Sequence, residues 1–118
     1  FQAAYCGFNV TIWLRSEGSI GRTQPKIDHL KQTYIEAIEK MAEDKNAWCA
    51  GLADEDTFDK EECLKKVENA YANLKLELDM AKAVADADLV IESMAENEKD
   101  KIAFYESLLR FFQTRLLL

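Results

Sequence analysis

Residues 85–109 read ADADLVIESMAENEKDKIAFYESLL, and their hydrophobic period changes midway, which announces a strand, a turn and a helix in succession. Leu89, Val90 and Ile91 form a short, partly β-branched apolar run. Such a run predicts a strand covered on both faces, as strands inside parallel sheets are. Asp86 and Asp88 fence its entrance, and after Glu92 the apolar run stops. Apolar residues resume at Ile102, Tyr105, Leu108 and Leu109, a helical spacing. In open α/β sheets ligands bind where strands end and helices begin. Glu92, Ser93, Glu96 and Asn97 therefore stand where a ligand is expected.

Working outward, residues 74–78 alternate Leu74, Leu76 and Leu78 with Lys75 and Glu77, the pattern of a strand with one buried and one wet face. Asp79 can cap a short helix over 80–85. Upstream, an acidic loop over 54–59 precedes a helix carried by Leu64, Val67 and Tyr71, with Thr57 as its expected cap. A calcium-loop reading of those acids fails, because the glycine and glutamate that such a loop needs are not at their positions. The longest periodic segment runs from Pro25 to about Lys45, with Ile27, Leu30, Tyr34, Ile38 and Met41 on one stripe. Pro25 suits a first helical turn, and Thr23 or Gln24 would cap it. Arg15, Ser16, Glu17 and Gly18 before it read as a polar turn.

At the amino end FQAAYCG reads as the last turns of a helix ended by Gly7, and residues 8–15 follow as a strand with both faces packed. The order of elements, strand, helices, strand, short helix, strand, helix, predicts an α/β fold with a parallel sheet. The chain is 118 residues, enough for one domain, and its net charge of −7 argues against a nucleic-acid partner. No run approaches the roughly 18 apolar residues of a membrane span, and no signal segment opens the chain, so neither a membrane nor a secretory route is expected and the cytoplasm is the default. Cys6, Cys49 and Cys63 form no CxxC pair and read as reduced, mostly core thiols with no metal site. His29, the one histidine, sits beside the long helical stripe among charged residues and reads as solvated rather than catalytic.

Taken together, FQAAYCGFNVTIWLR and ANLKLELDMAKAVADADLVIESMAENEKDKIAFYESLL resemble the NAD-binding domain of the 3-hydroxyacyl-CoA dehydrogenases. The most specific part is D-L-V-I-E-S-M-A-E-N-E-K-D-K, residues 88–101, which is similar to the family's D-L-V-x-E-x-x-x-E-N-x-x-x-K. The resemblance implies one partial domain over 1–118: a Rossmann-like doubly wound parallel sheet lacking its first strand, with a long helical insertion after the second. It implies that Glu96 and Lys101 bind NAD near its nicotinamide half. The acid that holds the adenosine ribose hydroxyls after the family's second strand falls here at Leu14, with Arg15 next. Arg15 is thus a third cofactor-binding candidate, and NADP stays open beside NAD.

By the same resemblance the Gly-rich loop would lie before Phe1 and the catalytic residues after the last helix, so no catalytic residue is assigned. The implied parent is a cytoplasmic oxidoreductase of fatty acid metabolism, a homo-oligomer oxidising 3-hydroxyacyl-CoA, and the 118 residues alone are expected to be inactive. Two other readings stand beside it: another NADP-dependent hydroxyacid dehydrogenase, and a non-catalytic acidic helical interaction module that binds a partner helix. One structural expectation follows. Without a central strand, 8–15 and 89–92 either pair directly or leave a groove lined by Val10, Ile12, Val90 and Ile91, and the isolated chain aggregates or folds only in part.

Overall fold

In the computed structural model the described residues are 1–93, 97–110 and the backbone of 116–117. Helix α1 (Gln2–Tyr5) ends as its sequence predicts. The Phe8 N–H reaches the Ala3 carbonyl and the Gly7 N–H the Ala4 carbonyl, both at 3.1 Å. Gly7 takes φ 99°, the left-handed conformation that lets a chain turn off a helix. Strand β1 (Thr11–Trp13) follows. Its ladder extends one residue at each end, through bonds from Lys75 N–H to the Val10 carbonyl and from Leu14 N–H to the Glu77 carbonyl.

Helix α2 (Glu17–Glu43) begins well before Pro25, which corrects both the polar turn over 15–18 and the cap at Thr23 or Gln24. Ser16 is the cap, its hydroxyl accepting the Ser19 N–H at 3.3 Å. Gly18, Gly21 and Pro25 are poor helix formers, and Pro25 cannot bond the carbonyl one turn back. Propensity argued for a turn there, and tertiary packing overrode it: Ile27 is 5 % exposed, and Ile38 and Met41 are also buried.

Helix α3 (Lys60–Asn73) is capped by Asp59, not Thr57; the carboxylate accepts the Glu61 and Glu62 N–H groups at 3.0 and 3.3 Å. Asp59 stands immediately before the first turn and reaches two of its orphan donors. Strand β2 (Lys75–Glu77) then pairs parallel with β1, with Thr11 opposite Lys75 and Trp13 opposite Glu77. A parallel pair needs a crossover, and α2 and α3 supply it. Helix α4 (Met80–Val84) starts at Asp79, which accepts the Ala81 and Lys82 N–H groups as the sequence predicts.

Strand β3 (Val90–Ile91) leads to α5 (Glu98–Leu108), and β3 pairs parallel with β4 (Leu116–Leu117). Among the described residues the strands therefore form two separate parallel pairs, β1 with β2 and β3 with β4. The expected direct pairing of 8–15 with 89–92 is not found among the described residues. Val10 packs into one core cluster and Val90 into another. From the α5 side the Phe104 ring packs on Trp13, centroids 5.5 Å apart.

The larger cluster joins α1, α2 and α3 through Ala4, Tyr5, Ile38, Cys63, Val67 and Ala70. Polar bonds from α1 tie down the loop after α2: the Tyr5 hydroxyl donates to the Leu52 carbonyl at 2.6 Å and the Gln2 amide to that of Gly51 at 2.8 Å. The smaller cluster holds Val84 and Leu108 beneath Met80, Ala87, Val90, Phe104 and Tyr105. Residues 89–91 were expected to be covered on both faces, yet Leu89 is 52 % and Ile91 69 % exposed. Among the described residues β4 is the neighbour of β3 and no second layer covers those side chains. Ile102 and Leu109 of the expected helical stripe are also exposed, while Tyr105 is half-buried and Leu108 buried. Of the three thiols only Cys63 is a core residue, since Cys6 and Cys49 are exposed. Among the described residues no helix is long and apolar enough to cross a membrane.

Candidate functional site

Glu92 is the first residue off the carboxyl end of β3. Its carboxylate is 7 % exposed and lies 3.7 Å from the Lys101 ammonium, which is 25 % exposed. Burying a carboxylate this far costs free energy unless a charge or donors answer it. Lys101 answers it from the start of α5, whose position is set by Asn97: that side chain accepts the Asp100 N–H at 3.2 Å and begins the helix there. Tyr105 lies one turn further on, its hydroxyl 3.5 Å from the same Glu92 oxygen, at the outer limit of a hydrogen bond. Burial first, and then the Glu92 charge, raise the Tyr105 phenol above its ordinary value, with Lys101 opposing them. The phenol thus stays a neutral donor.

Two of the three residues singled out from sequence can be placed. Lys101 is held at the strand end, where the motif put it. Glu96 lies outside the described residues. Arg15 is exposed and follows β1 directly. It lines an open groove of about 350 Å³ together with Trp13, Met80, Asp100, Ala103, Phe104 and Ser107. The Trp13 ring is held in place by its N–H, which donates to the Leu78 carbonyl at 2.9 Å. Arg15 thus shares a groove with Asp100 in the first turn of α5, while Lys101, the next residue of that turn, pairs with Glu92.

Sequence reasoning placed Glu92 near a ligand but missed it as the partner of Lys101, and took Tyr105 for a core residue. The four-residue spacing of Lys101 and Tyr105 was the available signal, because helical neighbours at that spacing share a face. His29 is exposed on α2, as its charged surroundings predict. Chemically, the strand end offers a carboxylate that accepts hydroxyl or amide hydrogens, an ammonium that donates to oxygen, and a neutral phenol. These groups suit the hydroxyls and amide of a dinucleotide.

Comparison with known proteins bears directly on this arrangement. A family model described as 3-hydroxyacyl-CoA dehydrogenase, NAD binding domain, matches residues 2–118. No curated protein matches the chain. Among solved structures, 12 chains match. One is a diketoreductase described in terms of substrate-directed dual catalysis of dicarbonyl compounds; it superposes with a TM-score of 0.70 at 24% sequence identity. That match covers 98% of this chain and 34% of the diketoreductase, so the two share a fold and this chain spans about a third of the other's length.

Proposed function

We propose, from the premise that this chain belongs to the 3-hydroxyacyl-CoA dehydrogenase NAD-binding domain family, that it is a partial dinucleotide-binding domain of an oxidoreductase. The parent enzyme moves a hydride between a 3-hydroxyacyl-CoA and a nicotinamide cofactor, NAD in the form the family name gives. In this reading β1 and β2 are the second and third strands of a doubly wound sheet, and β3 and β4 the fourth and fifth. The place of a first strand lies between β1 and β3.

The observation that carries the proposal is the ion pair at the end of β3. A nearly buried Glu92 holds Lys101 at the strand end, where dinucleotides bind in such sheets. The nicotinamide ring, when bound, supplies the hydride acceptor. Glu92 orients Lys101, Lys101 donates to a ribose or phosphate oxygen, and Tyr105 limits water around the pair. Glu96, four residues after Glu92 in the motif, is the proposed second acceptor. Binding is the work this reading gives these residues.

The test is formation of reduced nicotinamide by the full-length protein given NAD and 3-hydroxyacyl-CoA thioesters. Turnover is expected from the full-length protein and none from these 118 residues alone. Lys101→Ala is expected to raise the cofactor Kd about tenfold, the loss of one charge-assisted bond. Full-length protein that neither binds NAD nor turns over the thioesters would overturn the proposal.

A further inference from the structure

Helix α1 presents one face to the loop between α2 and α3. Gln2, Tyr5 and Cys6 stand at i, i+3 and i+4, so their side chains share that face. Opposite them the loop makes a tight turn, closed by the Leu52 N–H on the Cys49 carbonyl at 3.0 Å. The Tyr5 hydroxyl bonds the end of that turn, 2.6 Å from the Leu52 carbonyl. The Gln2 amide nitrogen serves both sides of the junction, donating to the Gly51 carbonyl at 2.8 Å and to the Cys6 sulfur at 3.6 Å. Its oxygen accepts the Tyr34 hydroxyl at 2.5 Å, which anchors the side chain to α2. A Cβ on Gly51 would stand 3.7 Å from the same amide nitrogen, so the turn lies directly against Gln2.

Two thiols belong to this junction. Cys6 is held beside the turn by Gln2, and Cys49 opens the turn; both are free and exposed. The third thiol, Cys63, is buried at 3 % exposure in the core beneath α1. The Cys49 thiol donates to the Ala47 carbonyl at 3.7 Å and the Cys6 sulfur accepts from Gln2 at 3.6 Å. Sulfur is a weak donor and a weak acceptor, so a rotation about χ1 gives up either bond at little cost. Exposure and a second thiol at the same junction are what a thiol–disulfide exchange site needs.

We infer that Cys6 and Cys49 are a redox pair, oxidised by a low-molecular-weight disulfide to a bridge that fastens α1 to the loop after α2. One thiolate attacks the small disulfide and expels one thiolate from it, leaving a mixed disulfide on the protein. The second cysteine attacks the protein sulfur of that mixed disulfide and expels the other small thiolate. The two cysteine protons pass to the two departing thiolates, so the protein loses two electrons and the small disulfide gains them. Because roughly forty residues lie between the two cysteines, the bridge closes a long loop and removes freedom from the unfolded chain.

The experiment treats the full-length protein with oxidised glutathione and maps its disulfides by mass spectrometry of a non-reducing digest. A peptide joining Cys6 to Cys49 is expected, with Cys63 unreacted. Cys6→Ser should leave a lasting glutathione adduct on Cys49, and Cys49→Ser one on Cys6, whereas the unsubstituted protein keeps neither. Oxidation should raise Tm by at least about 4 °C, and dithiothreitol should reverse the rise. Separate adducts on both thiols of the unsubstituted protein, no reaction at either, or bridges between chains would overturn the pair. A Cys6–Cys49 bridge that leaves Tm unchanged would overturn its fastening role.

Discussion

The packing around Ile38 and Val67 and the packing around Leu108 use the same kinds of residue, yet they bury them to very different depths. In the first region α1, α2 and α3 enclose Ile38 and Val67 completely, each 0 % exposed. Phe1, Tyr5 and Tyr34 close it with tilted rings 4.8 and 5.6 Å apart. In the second region Val84 and Leu108 are buried, but Leu89, Ile91, Ile102 and Leu109 are all more than half exposed. What differs is the number of layers. Three helices cover one another in the first region, whereas among the described residues α4, β3 and α5 form a thinner layer in the second. Apolar spacing alone does not bury a side chain; a facing layer does.

The largest effect should come from alkali acting on the first region. Burial, followed by Cys63, holds the Tyr5 phenol far above the ordinary tyrosine value of 10.0. Burial raises Tyr34 too, and a bond to Asp28 raises Tyr71. The folded state thus keeps these protons more tightly than the unfolded chain does. The resulting stability is complete below pH 10.0 and drains away as pH rises through the folded-state values. Near-UV circular dichroism along a pH titration should show this region losing its fixed rings above about pH 10. Tyr5→Phe should lower stability at neutral pH, because its bond to Leu52 is lost, and make the alkaline loss shallower. Ionisation of Tyr5 at the ordinary value in the folded protein would show that the first region does not enclose its ring.

Next in size is truncation of the first core. Ile38→Ala should cost about 2 to 5 kcal/mol in urea unfolding, a large part of a typical domain stability of about 5 to 15 kcal/mol. Leu108→Ala should cost less, since the thin second region can close over the space. An equal or greater loss at Leu108 would show that the second region is packed as tightly as the helical core.

Helix caps should give smaller, matched effects. Asp59→Ala removes an acceptor shared by two amides of α3, and Asn97→Ala removes the single bond that starts α5. Each should cost about 1 kcal/mol. Only Asn97→Ala should also weaken cofactor binding, because only α5 carries Lys101. The smallest effect belongs to Ile91→Ala, within about 0.5 kcal/mol, as the side chain is 69 % exposed. A loss of several kcal/mol there would reveal a covering layer over β3.

Much of this was legible in residues alone. Gly7 as a helix terminator, Asp79 as a cap, the stripe of α2 and the strand-turn-helix passage around Glu92 all follow from local rules whose partners lie within a few positions. The same is true of Lys101, which a motif places at the start of a helix. Where the reading failed, a distant partner decided. Residues 15–18 read as a polar turn and Pro25 as a helix start, but helix α3 offered α2 a surface: the Tyr71 hydroxyl bonds Asp28 at 2.5 Å and the Lys31 ammonium sits 4.5 Å from the Tyr71 ring.

Sequence by itself therefore determined the kind of elements, their order, the Asp79 cap, the Gly7 terminator and the family to which they belong, because periodicity, capping and short motifs are properties of neighbouring residues. Tertiary structure alone decided which faces are covered, that Glu92 closes on Lys101 and Tyr105, and that Arg15 shares a groove with Asp100 and Phe104 of α5. Those outcomes depend on which element lies opposite which, and on where a helix starts. A residue's neighbours in the chain do not carry that information.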